Sequence, residues 1–333
     1  MRVGRRITSC KTVDIMKPSK NVKNQVFIGH LTKDDIVYKD GHTRFNSIGG
    51  ATLYCSGGAY LWGGNASIVS VIGTSYDYEC LRSLAREKNL NIDGVHKIDG
   101  HGLDIWVLYD DNDDQYYITK YYSGGFDEIV PTYDMIPEGL LNDDHIFHIT
   151  PMPLSAQADI VRYLSNHKCM VTLDPHQISC GNAYMKEWDD ILPKLHIFFP
   201  SELQFRLLSG TTNPSANLKS IAKFADFYKV EILVLKAAEK GAYLYLKKSK
   251  ALYHIPSAAK NIVDCTGAGD AFAGGYTYSY IHDLDPLKAL YYASVSASFA
   301  MESYTAADLF SIDKQSAIQR LNGFEDKIEK VLY

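Results

Sequence analysis

The sequence has few of the features that mark membrane, secreted, metal-binding or nucleic-acid-binding proteins. Its 333 residues contain no apolar run of the roughly 18 residues that a membrane-spanning helix requires. The six cysteines are scattered and form no Cys-x-x-Cys pair, which disfavours a zinc site or a disulfide framework and is typical of a reducing cytosol. Only 34 Lys and Arg accompany 39 Asp and Glu, so the net charge of −5 favours neither nucleic acid nor an anionic membrane as a partner. We therefore expect a cytoplasmic globular protein.

The amino-terminal segment differs from the rest of the chain. Residues 1–24 are polar and basic and lack the apolar segment of a secretory signal, so we expect a loosely ordered extension there. The whole chain is 46% hydrophobic and 22% charged, which is an ordinary globular composition. No linker rich in Gly, Ser or Pro divides the remainder of the chain. We therefore predict one folded domain over residues 25–330.

The hydrophobic pattern predicts an α/β fold with two parts. From about residue 145 onward, short apolar strands alternate with helical stretches, which is typical of βαβ units and of a mainly parallel sheet covered by helices on both faces. Earlier in the chain, strands at about 34–48 and 102–123 form two hairpins, the first around Asp40-Gly41. Because hairpins do not belong in a parallel sheet, we expect them to form a separate small sheet.

One glycine-rich segment, residues 264–275, has the composition of a phosphoryl-transfer site. We predict a strand before it and a helix after it, with Gly267, Ala268 and Gly269 in a tight turn between them. The unpaired N–H groups and the positive dipole end of that helix would make the turn an anion hole. Asp270 in the first helical turn could accept the proton of an attacking hydroxyl group there. The spacing alone leaves open a simpler interpretation, in which Asp270 only caps the helix.

Other nucleotide-binding loops do not fit this segment. It has no Gly-Lys-Ser/Thr, which excludes a Walker A loop, and its glycines at 267, 269, 274 and 275 do not match G-x-G-x-x-G. A dinucleotide-dependent enzyme is therefore disfavoured.

Residues 264–275 resemble the C-terminal signature of the ribokinase, or PfkB, carbohydrate kinase family, and the resemblance extends over nearly the whole chain from residue 25. It implies a ribokinase-like three-layer α/β/α core with a mainly parallel central sheet, plus a small β-sheet lid made by the two hairpins. It also implies an ATP-dependent kinase that uses Mg²⁺. By the same resemblance Asp270 is the catalytic base, and Gly267, Ala268 and Gly269 form the anion hole.

The resemblance also nominates residues for the acceptor substrate. Asp34 is similar to a family aspartate that binds substrate hydroxyls, a task that suits a carboxylate because it accepts several hydrogen bonds. Asp35 is the neighbouring alternative. Gly49 and Gly50 are similar to the family's di-glycine, which acts as a hinge between lid and core and lines the substrate pocket.

The implied nucleotide site contains one departure from the family pattern. Residues 236–241 resemble the loop that contacts ATP phosphates, with Ala238 where the family usually has Gly. The ATP-binding candidates are Lys236, Gly241, Thr266, Gly267 and Gly269. Ser201 and Gln204 occupy the positions of the family's Asn-x-x-Glu motif, which organises magnesium. Glu202 is the candidate metal residue in its place, with magnesium held mostly by ATP phosphates and water.

Several functions stay open at this point. The leading hypothesis is transfer of the γ-phosphate of ATP to a hydroxyl of a small sugar or polyol, with an inositol-like acceptor in view. A nucleoside kinase of the same family is the alternative, with base stacking offered by lid aromatics at 106, 109, 116, 117 and 121. A phosphosugar acceptor would need cations at the lid, for which Lys33, Arg44 and Lys120 are candidates. The altered Ser201 and Gln204 positions motivate a hypothesis of another class, a non-catalytic regulator or scaffold. A monovalent cation and a homodimer through the lid complete the expectations.

Overall fold

The computed structural model describes residues 24–110, 115–142, 144–324 and 326–333. The expected extension therefore lies outside the described residues except for its last residue, and so do residues 111–114 within the second predicted hairpin. In the described ranges no helix is both long enough and apolar enough to cross a membrane.

The strands form a large sheet and a small one. In chain order they are β1 (Asn24–Ile28), β2 (Thr32–Val37), β3 (Thr43–Gly49), β4 (Ala66–Ile72), β5 (Asn91–Lys97), β6 (Asp104–Tyr109), β7 (Gln115–Thr119), β8 (His145–Ile149), β9 (Met170–Leu173), β10 (Ile197–Phe198), β11 (Ile232–Lys236), β12 (Ala242–Leu246), β13 (Ala251–Ile255) and β14 (Glu329–Val331). The large sheet has ten strands in the order β14-β13-β12-β11-β10-β9-β8-β1-β4-β5. All neighbours from β5 to β11 are parallel, and β12, β13 and β14 add an antiparallel edge.

Helices cover both faces of the large sheet, which confirms the predicted three layers. They are α1 (Ala51–Tyr60), α2 (Tyr78–Lys88), α3 (Leu154–Asn166), α4 (Met185–Ile191), α5 (Glu202–Ser209), α6 (Leu218–Tyr228), α7 (Ala268–Asp283), α8 (Pro286–Met301) and α9 (Lys314–Asn322). Buried residues of α1, α2, α7, α8 and α9 form one core cluster, and those of α3 to α6 form another. Alternate residues of a strand serve the two clusters, since Phe27 belongs to the first and Val26 and Ile28 belong to the second.

The small sheet is the predicted lid, with strand order β3-β2-β6-β7. Each predicted hairpin is present, because β2 pairs antiparallel with β3 and β6 pairs antiparallel with β7. The two hairpins join through a parallel β2–β6 pair, which the sequence patterns did not indicate. A bulge interrupts the β2–β3 pairing between Asp34 and Ile36.

Close packing of α1 against α7 fixes the direction of the glycine-rich segment. A Cβ on Gly58 would collide with the carbonyl of Ala271, and a Cβ on Gly274 would collide with the carbonyl of Cys55. The two helix backbones therefore lie in contact. The segment itself differs from the prediction at its start, because β13 ends at Ile255 and no strand stands directly before residue 264.

Candidate active site

The amino-terminal end of α7 forms a tight turn, residues 267–269, called the α7 turn below. Gly267 has a φ of 69°, in the left-handed region that favours glycine, and a Cβ there would collide with the ring of Tyr54. The N–H of Ala268 donates to the carbonyl oxygen of Cys265 at 3.2 Å, so that donor is already used. The first turn of α7 still presents the positive end of a 16-residue helix, which favours a bound anion.

Asp270 lies in the first turn of α7, next to this anion-binding end. Its pKa is raised to about 7, first by burial and then by the negative charge of Asp174, while the positive charge of Lys236 opposes the shift. A carboxylate with a pKa near 7 is present in both protonation states at neutral pH. That is the property that a general base for a hydroxyl group needs.

Asp174 and Lys236 form a buried ion pair beside the α7 turn. Asp174 follows β9 and is 1% exposed, and its Oδ2 accepts from Nζ of Lys236 at the end of β11. The same Nζ lies 3.1 Å from the position that a Cβ on Gly269 would take. Lys236 therefore lies beside the α7 turn, and its contact with ATP phosphates stays a prediction. The position of Asp174 at the carboxyl end of a parallel strand was the available signal for this missed residue.

Asp34 lies in the lid strand β2 and is 4% exposed. Its Oδ1 has no hydrogen-bond partner among the described residues, and a Cβ on Gly49 would collide with its Oδ2. Burial and the charge of Asp264 raise the pKa of Asp34 to about 7, although the nearby Thr32 hydroxyl lowers it. A buried carboxylate with an unused oxygen is suited to bind a hydroxyl group of a ligand.

Asp35, the alternative to Asp34, already has partners. It accepts hydrogen bonds from the backbone N–H of Asn46 at 2.6 Å and from Nζ of Lys120. Its neighbour across the β2–β6 pair is Trp106, on the opposite lid face from Asp34. The geometry therefore favours Asp34.

Gly50 connects the lid to α1. Its φ of 102° strains any other residue, and a Cβ would lie 2.5 Å from the carbonyl oxygen of His30. Gly49 and Gly50 therefore stand together where lid and core meet, next to Asp34, as the resemblance implies. A hinge motion at this junction stays a prediction.

Tyr54 connects the two halves of the site. Its buried ring packs against Gly267, and its pKa is raised by burial and then by the charges of Asp34 and Asp264. It thus lies between the acceptor candidate Asp34 and the α7 turn. No sequence signal distinguished this tyrosine from other core aromatics.

The lid contacts the glycine-rich segment directly through tyrosines. Tyr38 donates to Asp264 Oδ2 at 3.2 Å, and the hydroxyl of Tyr109 donates to Asp264 Oδ1. Tyr109 also lies 3.1 Å from the hydroxyl of Thr266, measured between the two oxygens. Tyr117 is 56% exposed as a whole, but its hydroxyl interacts with Thr266, and desolvation and the charges of Asp264 and Asp270 raise its pKa, so the hydroxyl end lies near the same cleft.

The other lid aromatics lie elsewhere. Trp106 packs edge-to-face with Phe45, with ring centroids 6.0 Å apart. Lys120 Nζ lies 4.6 Å from the centroid of the Trp106 ring. Tyr121 is fully exposed, and Tyr116 pairs across the strands with Leu108, away from Tyr117. Of the five predicted stacking residues, the cleft therefore receives Tyr109 and Tyr117.

The residues at the altered magnesium motif already form hydrogen bonds with other residues of the protein. Ser201 and Gln204 form a reciprocal capping box at the start of α5, and Gln204 Nε2 also donates to the carbonyl of Pro175 at 2.6 Å. Glu202 accepts from Lys240 at 3.1 Å and from the Ser215 hydroxyl. Within the described ranges no group of three or more His, Cys, Asp or Glu side chains is placed to hold a metal ion. The side chains fit an anionic phosphate better than a bare cation.

The loop expected to contact ATP phosphates has an unusual backbone. Ala238 has a φ of 49°, in the left-handed region, at the position where the family usually has glycine. Gly241 has a φ of 85°, and a Cβ there would collide with the carbonyl of Ile255. The loop closes through a hydrogen bond from the N–H of Ala237 to the carbonyl of Gly241 at 2.8 Å.

Comparisons with known proteins address the family and the fold of the chain. Residues 24–313 match the model of a family described as pfkB family carbohydrate kinase. A cytidine kinase of Thermococcus kodakarensis is 29% identical over 259 residues, covering 77% of this chain and 87% of that protein. A putative ribokinase II of E. coli, solved in complex with ATP and Mg²⁺, superposes with a TM-score of 0.71 at 20% identity, covering 90% of this chain and 99% of that chain. A nucleoside kinase of Burkholderia thailandensis, solved with inosine, gives a TM-score of 0.74 at 16% identity, covering 92% and 100%.

Proposed function

The chain belongs to the pfkB family of carbohydrate kinases, and from that premise we propose that it transfers the γ-phosphoryl group of ATP to a hydroxyl of a small sugar or polyol. The observation that carries this proposal is Asp270, a carboxylate with a pKa of about 7 in the first turn of α7, beside Lys236. A base and an anion-binding helix end in one place are what phosphoryl transfer to an alcohol requires.

In the proposed reaction Asp270 takes the proton of the acceptor hydroxyl. The acceptor oxygen forms a bond to the γ-phosphorus, the bond from that phosphorus to the bridging oxygen breaks, and ADP leaves. The α7 turn and the Lys236 ammonium stabilise the negative charge of the transferred group. Gly241 and Thr266 stay candidates for further nucleotide contacts.

The acceptor is proposed to bind at the lid end of the cleft. Asp34 offers an unused carboxylate oxygen there, and the absence of a side chain on Gly49 lets that carboxylate lie directly against the junction of lid and core. Tyr54, whose ring packs against Gly267, is also near enough to Asp34 for its pKa to be raised by that charge, so it links the proposed acceptor position to the α7 turn.

The proposed metal is Mg²⁺, which when bound neutralises phosphate charge. The described side chains offer it no ready-made cluster, so we expect the phosphates and water to supply most of its ligands. Glu202 stays the candidate protein ligand, and Lys240 would have to release its carboxylate for that role. A monovalent cation requirement is a further proposal, tested by comparing activity in potassium and in tetramethylammonium buffers.

A nucleoside is the second candidate acceptor, because a cytidine kinase is similar over most of both chains. Tyr109 and Tyr117, the two lid aromatics directed toward the cleft, are then the candidates for contact with a base. The outer lid face supports the proposal of a homodimer, since it exposes Phe45, Tyr116 and Ile118.

The test is ADP formation from ATP and Mg²⁺ across a panel of sugars, inositols and nucleosides. We expect one class to stimulate ADP formation, which names the acceptor, and we expect Asp270→Asn to abolish the stimulation. Stimulation that survives in Asp270→Asn would refute the assignment of the base. ATP binding with no turnover of any panel member would favour a non-catalytic role.

A further inference from the structure

Two carboxylates share one ammonium group at the candidate active site. Lys236 Nζ is bonded to Asp174, and its positive charge also lowers the proton affinity of Asp270. Asp174 in turn raises the proton affinity of Asp270. Asp174 therefore acts on Asp270 in two opposite ways, directly through its own charge and indirectly through the lysine that it holds.

The backbone around Asp174 is held firmly in place. Its N–H donates to the carbonyl of Ile149 at 3.0 Å, and its carbonyl accepts from Gln157 Nε2 at 2.8 Å. The next carbonyl, of Pro175, accepts from Gln204 at 2.6 Å. These three bonds tie residues 174 and 175 to β8, α3 and α5. The carboxylate that receives Lys236 is thus a fixed point, while the lysine is a long and flexible side chain.

Stability alone does not explain this pair. Burial raises the pKa of Asp174 in spite of the attraction by Lys236, so the desolvation of its charge outweighs the gain from pairing. Two hydrophobic side chains of similar volume in place of this pair would stabilise the core at least as well. The Lys236 side chain also keeps 15% of its surface exposed, next to Gly269, so its ammonium is available to the cleft.

We propose that Asp174 is a positioning residue: its buried carboxylate holds the Lys236 ammonium beside the α7 turn, where that ammonium meets an arriving phosphoryl group. The inference rests on the proposed function, because it requires a phosphoryl group to reach the α7 turn. When an anionic phosphoryl group arrives, Lys236 shifts part of its attraction from Asp174 to that group.

The other titratable groups around Asp270 come from different elements. Cys55 of α1 faces Asp270, Asp174 and Lys236, and burial keeps its thiol protonated by raising its pKa. Tyr117 approaches from the lid with a raised pKa and stays neutral as well. His148 of β8 faces Lys236, and burial lowers its pKa to about 3, so it is neutral too. Near neutral pH the charges that change the proton affinity of Asp270 are therefore those of Asp174 and Lys236.

The test uses two variants compared in sequence, Asp174→Asn and the double variant Asp174→Asn/Lys236→Met. Asp174→Asn removes the repulsion between the two carboxylates and also frees the lysine. Adding Lys236→Met to Asp174→Asn should leave the titration midpoint of Asp270 unchanged, because nothing holds the ammonium beside the α7 turn once Asp174 is gone. The double variant leaves neither member of the buried ion pair without its partner, so it should fold even if Asp174→Asn does not.

The midpoint is measured by ¹³C NMR of aspartate-labelled protein, with the Asp270 signal assigned by its loss in Asp270→Asn. The acid limb of the pH profile of kcat/KM should shift in parallel, and kcat should fall at least about tenfold in Asp174→Asn because Lys236 is misplaced. Asp190→Asn is the matched control, since Asp190 pairs with Lys194 and Arg162 on the protein surface. We expect it to change neither measurement.

A further shift of the Asp270 midpoint on adding Lys236→Met to folded Asp174→Asn, or an unchanged kcat in folded Asp174→Asn, would overturn the inference. Because the NMR titration needs no turnover, it gives this answer even if no acceptor is found. Conversely, full activity of Asp270→Asn would refute the proposed base while the midpoints still report on the ion pair.

Discussion

The replacement Asp270→Asn should make the protein less active and more stable at once. The pKa of Asp270 rises from an ordinary 3.8 to about 7 on folding, so the folded state binds a proton more tightly than the unfolded state. Between these two values the stability of the protein falls as pH rises. At pH 8 both states are ionised, and the folded state carries the full cost of a desolvated carboxylate.

The magnitude follows from the shift. A rise from 3.8 to about 7 corresponds to about 4 kcal/mol at pH 8. Asp270 retains partial solvent exposure, so we expect a gain of about 2–4 kcal/mol in the free energy of unfolding for Asp270→Asn. The gain should shrink as pH falls and disappear near pH 4, where the wild-type carboxyl is protonated in the folded state.

Urea unfolding of both proteins at pH 4, 6 and 8 measures this difference. Asp190→Asn is a control of opposite sign, because Lys194 and Arg162 lower the pKa of Asp190, and its loss should destabilise the protein at pH 8. An Asp270→Asn variant that is no more stable than wild type at pH 8 would refute the reasoning. A gain that does not change with pH would do so too, since it would have a cause other than ionisation.

Three further predictions concern the lid and the phosphate loop. Asp34 and Asp270 both have a pKa of about 7, so below pH 7 two carboxylates become protonated in the wild type. In pH-rate profiles, log kcat/KM should therefore fall with a slope approaching 2 in the wild type and with a slope of 1 in Asp34→Asn. Gly49→Ala should raise KM for the acceptor about tenfold or more, because the new Cβ collides with Asp34, whereas Gly139→Ala, with open space around it, should leave KM unchanged. Ala238→Gly should raise the free energy of unfolding by about 1 kcal/mol in urea titrations, because glycine tolerates the left-handed φ; lower stability would show that this loop is not strained.

The sequence patterns predicted the parts of the fold that depend on local chemistry. The parallel core follows from apolar strands alternating with helices, and the lid follows from hairpin patterns such as that at Asp40-Gly41. Strand β5 was not predicted because it is a polar edge strand, and β14 because it has three residues. The parallel β2–β6 pairing, which connects the two lid hairpins, could not be predicted because it is a long-range pairing with no local sequence signal.

The candidate site likewise contains residues that the sequence could nominate and residues that it could not. Asp270 and the α7 turn could be nominated because their chemistry lies in one continuous segment, and Asp34 could be paired with Gly49 by family resemblance. Asp174 and Tyr54 were missed, because their importance depends on contacts across the fold, to Lys236 and Gly267. The capping role of Gln204 could not be predicted either, because the same residues fit both a capping box and a magnesium motif that has lost its acidic residue.

The central claim is that Asp270 is the base of an ATP-dependent kinase. The most direct measurement is the rate of phosphorylated acceptor formation, followed by ³¹P NMR, for the wild type and Asp270→Asn at pH 8 with ATP, Mg²⁺ and the acceptor found in the panel. The account predicts a loss of about 100-fold or more in Asp270→Asn, with ADP affinity retained. Product formation at an undiminished rate by folded Asp270→Asn would contradict it.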